Sequence, residues 1–120
     1  MGFLDRFRGS GLPRTPADAD ALALRQLAKT GADLSRTRHV IHVVYFPSEE
    51  AARAAADKIE AANWSTAVEP PGDTIAEWSV SADGERVVGP DTISAFRSWF
   101  EHLAAEYGGE YDGWEAAAKP

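Results

Sequence analysis

Seven residues, Val40-Ile41-His42-Val43-Val44-Tyr45-Phe46, constrain this chain more than any other stretch. They are β-branched and aromatic almost throughout, and Pro47 closes the run, which reads as a β-strand. Its two sides are Val40, His42, Val44, Phe46 and Ile41, Val43, Tyr45. Both are largely apolar, and a strand of that kind lies centrally in its sheet with something covering each side. At 120 residues the chain can build one core around it. A hydrophobic fraction of 44% and twelve aromatics, four of them Trp, suffice for that core. A disordered chain is poorer in both.

The flanking elements follow from local chemistry. Thr15-Pro16-Ala17-Asp18 starts a helix at about 16–30, with Thr15 as N-cap, Pro16 at the first turn and Gly31 as the stop. Ala21, Leu24, Leu27 and Ala28 share one face of it. Ser48 caps a second helix running to about Ala62, whose inner side is small: Ala52, Ala55, Ala56 and Ile59. Residues 64–69 alternate as a half-buried strand, Pro70-Pro71-Gly72-Asp73 turns the chain, and residues 75–82 alternate again. Asp83-Gly84 is a two-residue hairpin signal that would return 85–88 as a short edge. A helix at about 91–107 repeats Ile93, Phe96, Phe100, Leu103 and Tyr107 as a core stripe. Gly108-Gly109 stops it, and 110–117 forms the last strand, with Trp114 and Ala116 on one side.

After the first helix the order is β-α-β-β-α-β. The fold class is therefore α+β: a ferredoxin-like, four-stranded antiparallel sheet with two helices on one face, preceded by an extra N-terminal helix. That arrangement leaves one side of strand 40–46 bare, and the helix at 16–30 is expected to lie over part of it. Residues 1–14 hold Gly2, Gly9, Gly11 and Pro13 among three arginines, and read as a flexible arm before a single domain at 15–120.

Composition narrows the function. The net charge is −7, with a pI near 4.8. The arm carries +2 of this through Arg6, Arg8 and Arg14 against Asp5, leaving −9 for the rest. Such a surface repels nucleic-acid phosphates and favours a basic protein partner. No Lys or Arg falls in residues 98–118, which hold Glu101, Glu106, Glu110, Asp112 and Glu115. These five are the candidate partner-binding residues, and the plainer reading is a solvated acidic face. The chain has no cysteine, so disulfides, thiolate metal sites and cysteine nucleophiles are excluded. No apolar run reaches membrane-spanning length and no secretory signal opens the chain, so a cytoplasmic protein is expected.

Catalytic signatures are missing. His39 and His42 are three apart in a strand and point to opposite faces, so they cannot share a metal ion. No nucleophile elbow, phosphate loop or zinc helix motif occurs. The expectation is a protein with no enzymatic activity, no cofactor and no bound metal.

Three stretches carry a more specific likeness. Asp33-Leu34-Ser35 and Arg38-His39-Val40 lead into His42-Val43-Val44-Tyr45-Phe46-Pro47, an alanine-rich helix follows, and the chain ends on Gly108-Gly109-Glu110-Tyr111-Asp112-Gly113-Trp114-Glu115. Together these resemble the RraB family of ribonuclease E inhibitors over about residues 18–117. The resemblance implies a ferredoxin-like α+β domain that binds the endonuclease as a protein and modulates RNA decay. It departs from the pattern at Asn63-Trp64, where a Gly-aromatic pair is more usual, and in its Arg-bearing arm. The alternative is a stand-alone module, monomer or weak homodimer, that dimerises or binds a small ligand on its open sheet face.

Overall fold

The computed structural model describes residues 6–8 and 15–118. Its elements are β1 (Arg6–Arg8), α1 (Pro16–Lys29), β2 (Thr37–Phe46), α2 (Glu49–Ala61), β3 (Ser65–Glu69), β4 (Trp78–Val87), α3 (Pro90–Glu106) and β5 (Glu110–Ala117). The sheet order is β1-β5-β2-β4-β3, and every neighbouring pair is antiparallel. From β2 onward this is the ferredoxin-like arrangement, with β2 in the interior of the sheet as its two apolar sides require. Of the N-terminal arm, Arg6–Arg8 adds a short edge strand to β5. The remainder of the flexible arm expected at 1–14 falls outside the described residues.

The caps are those the sequence announces. Thr15 Oγ1 accepts from the Asp18 amide at 3.0 Å, and Ser48 Oγ accepts from the Ala51 amide at 3.1 Å. Asn63 takes a left-handed conformation, φ 70°, just past α2.

Two local expectations are corrected. Asp83-Gly84 is not a hairpin turn: β4 runs unbroken from Trp78 to Val87 and pairs with all of β2, from Thr37↔Val87 to Phe46↔Trp78. Gly84 serves close packing instead, since a Cβ there would sit 2.9 Å from the Trp64 ring and 2.7 Å from the Arg86 guanidinium. The second correction concerns α1, which does not cover the far side of the sheet. Its Leu24 and Leu27 join the same buried cluster as Ala52 and Ile59 of α2, Phe100 and Leu103 of α3, and Val40 and Val44 of β2. All three helices therefore share one layer, and the opposite sheet face carries no helix among the described residues.

Gly109 shows how tightly that layer closes. A Cβ on it would run into the Tyr45 carbonyl oxygen and lie 2.7 Å from Phe46 Cδ1. Gly109→Ala is expected to destabilise the domain by about 1–3 kcal/mol through forced backbone displacement. Urea unfolding measures this, and an unchanged midpoint would contradict the packing described.

Candidate interaction surface

The glycine-rich ending builds both sides of the sheet at once. Val43 pairs with Gly113 and Val44 with Tyr111, so Asp112 is an extra residue, a β-bulge. Gly113 adopts φ +131°, which an L side chain rarely takes, and so permits the bulge. With two residues between them instead of one, Tyr111 and Trp114 both face the helical layer.

There they join a polar network. Arg97 grips Asp20 with Nε on Oδ2 at 2.7 Å and Nη2 on Oδ1 at 2.8 Å, and Trp114 Nε1 donates to the same Oδ1 at 2.7 Å. The Arg97 guanidinium lies 5.0 Å from the Tyr111 ring centre. The Tyr111 hydroxyl is 2.6 Å from His42 Nδ1, and the His42 ring stacks on Phe100 at 4.3 Å. His42 is fully buried, and its Nε2 has no hydrogen-bond partner. Burial, assisted by the Arg97 and Arg86 charges, pushes the imidazole down to about 3. Burial likewise pushes the Tyr111 phenol upward.

Arg38 ties the remaining resembling stretch together. It is fully buried, donating from Nη1 to the Ala117 and Ala118 carbonyls at 3.2 and 2.7 Å and from Nη2 to the Asp33 carbonyl at 2.6 Å. Asp33 Oδ1 accepts from the Ser35 amide at 3.0 Å and its hydroxyl at 2.6 Å, so the Asp33-to-Ser35 turn presents that carbonyl. Arg38→Met is expected to cost about 1–3 kcal/mol, because three carbonyls lose a charged donor. Calorimetric unfolding checks this, and a shift in midpoint too small to resolve would remove Arg38 from the scaffold.

The five candidate acids divide between two sides of the sheet. Glu101 and Glu106 stand on α3, paired with Arg97 at 3.3 Å and Lys58 at 2.5 Å. Glu110, Asp112 and Glu115 alternate with core residues on β5 and stand on the open side. Asp112 lies 3.4 Å from the Tyr45 hydroxyl. The same side holds Asp83 and Glu85 of β4 and Glu69 of β3, which the sequence reading passed over. Only strand pairing brings these to β5, and pairing across β2 is not visible in local sequence.

His39 is on the open side, 3.4 Å from Asp83, so the expected opposition of His39 and His42 is what the strand produces. His102 stays on α3, 3.0 Å from the Ser98 carbonyl. Among the described residues no group of three His, Asp or Glu side chains is placed to hold a metal ion. No described helix is long and apolar enough to cross a membrane. A groove of about 460 Å³ opens between α1 and α3, lined by Leu24, Leu34, Ile93 and the Asp20–Arg97 pair. That is the helical layer, whereas the small-ligand alternative placed its site on the open sheet face.

Residues 17–116 match the family model described as RraB, regulator of ribonuclease activity B. Compared with curated proteins one by one, the chain matches none. The family match takes in Arg38, the central strand and the whole glycine-rich ending 108–115, and on it the chain belongs to the RraB family of regulators of ribonuclease activity.

Proposed function

We propose that this protein modulates RNA decay in the cytoplasm by binding an endoribonuclease of the ribonuclease E type, inhibiting it by contact through an acidic surface and performing no chemistry itself. The observation that carries the reading is the division of labour within the ending 108–115. Gly109, Tyr111, Gly113 and Trp114 build the fold, whereas Glu110, Asp112 and Glu115 are carried on the side turned away from the helices. Carboxylates on that face suit a basic segment of the nuclease, and they act mainly on association rate and its salt dependence.

The test is cleavage of a defined RNA by purified ribonuclease E with the protein added. The parent protein is expected to slow cleavage at a stoichiometric ratio. Glu110→Gln/Asp112→Asn/Glu115→Gln is expected to associate about tenfold more slowly at low salt, with a flatter salt response. Glu101→Gln/Glu106→Gln is expected to behave as the parent. If the parent leaves cleavage unchanged, the ribonuclease reading fails. If the α3 pair matters and the β5 triple does not, the surface lies on the helical side.

A further inference from the structure

Strand β2 is apolar on both sides, yet the fold covers only one of them. Val40, Val44 and Phe46 are buried under the helices, while Ile41, Val43 and Tyr45 form a half-buried stripe along the middle of the other face. Across that stripe lie short, weakly polar neighbours: Ser79 and Ser81 on β4 and Gly113 on β5. Carboxylates rim it from three strands, Glu69 on β3, Asp83 and Glu85 on β4, and the acids of β5. On the open side of β2, β3, β4 and β5 no described position is Lys or Arg, since Arg38 and Arg86 fall on the helical side, while the edge strand β1 sets Arg6 and Arg8 in register with Ala117 and Glu115.

Three occupants are disfavoured by elementary physics. A second copy docked face to face would set the two carboxylate rims against each other. Nucleic acid would bring phosphates onto the same rim. An extended peptide satisfies its backbone by pairing with a sheet edge, and on a face its N–H and C=O groups would lie against apolar side chains without partners. A helix satisfies its own backbone and offers a side-chain stripe, which is how the other face of this sheet is already covered.

Size agrees. The stripe from Ile41 to Tyr45 runs about 13 Å along the strand, and four strands span about 14 Å across it. A helix about 10 Å wide and ten residues, about 15 Å, long fits that area. We propose that the open sheet face seats a basic amphipathic helix, its apolar side on Ile41, Val43 and Tyr45 and its lysines or arginines on the flanking carboxylates. This rests on the proposed binding of a protein partner and names the kind of segment bound.

The experiment uses three measurements on the full chain. A labelled 14-residue Leu/Lys peptide patterned as an amphipathic helix is titrated against the protein, beside a scrambled peptide of the same composition. The patterned peptide is expected to bind at least tenfold more tightly. Ile41→Thr/Val43→Thr is expected to erase that preference, with Val43→Thr alone giving a partial loss should the pair unfold. Amide chemical shifts on adding the patterned peptide to the parent are expected to move on β2 and β4, not on α1 or α3. Equal binding of the two peptides, or shifts confined to the α1–α3 groove, would overturn the proposal. In the cleavage assay with ribonuclease E, an inactive parent condemns the ribonuclease reading. A parent and an Ile41→Thr/Val43→Thr variant that inhibit equally condemn the open-face helix site and leave that reading standing.

Discussion

Asp20→Ala is expected to lower the unfolding free energy by about 3–5 kcal/mol, the cost of removing one partner from a buried ion pair. Arg97 and Asp20 have side chains only 12% and 8% exposed, and Trp114 Nε1 shares the same carboxylate. Removing it takes the bidentate carboxylate from the Arg97 guanidinium and the acceptor from the Trp114 indole N–H together. It also cuts the polar joint between α1, which precedes the β-α-β-β-α-β unit, and the α3–β5 end of that unit. Glu101→Gln supplies the comparison, since Glu101 meets the same Arg97 at 3.3 Å but is half exposed. Its loss is expected to stay within about 0.5 kcal/mol. Urea unfolding of the two variants decides the matter: equal and small losses would mean that apolar packing alone holds α1 in place.

The sequence announced most of the scaffold because the relevant physics is local. Caps at Thr15 and Ser48, the stripe of α3 and the two apolar sides of β2 each depend on a few neighbouring residues. What failed was non-local. An Asp-Gly pair signals a turn only if the chain is free to reverse, and here ten paired residues of β2 hold β4 straight while Gly84 makes room for Trp64. The placement of α1 failed for a related reason. Its apolar face suits either side of the sheet, and on the side it takes Asp20 bonds to partners 77 and 94 residues away.

The candidate surface was legible in part. A cation-free run in residues 98–118 pointed to Glu110, Asp112 and Glu115, but the run crosses from a helix to a strand and so mixes two sides of the sheet. Linear charge has no face until topology supplies one. The carboxylates of β3 and β4 joined the surface only through pairing. Within the ending, the roles separate once the bulge is seen: Tyr111 and Trp114 turn inward together because Asp112 is inserted between ladder partners.

Between pH 7 and pH 5 the domain is expected to lose about 2 kcal/mol of stability through His42 alone. The folded protein holds this imidazole neutral down to about 3, against a model value of 6.5. A depressed pKa in the folded state means that the unfolded chain binds the proton first as the pH falls. The His42 contribution is therefore complete above about pH 7, declines through pH 5 and is nearly all lost by pH 3, about 5 kcal/mol in total. The causes are geometric: a fully buried ring stacked on Phe100, near the Arg97 and Arg86 charges, with no carboxylate in the shift. His42→Phe/Tyr111→Phe removes both partners of the 2.6 Å hydrogen bond in matching shapes, so at pH 7 its own cost is expected to be small. Urea unfolding of parent and double variant at pH 7 and pH 5 isolates the effect, because His39, His102 and every carboxylate are common to both. The parent is expected to lose about 2 kcal/mol more than the variant over that interval. Equal losses would mean that the histidine acquires its proton without unfolding. Because His42 faces the helical layer, its own protonation is expected to act on folding and not on the open sheet face.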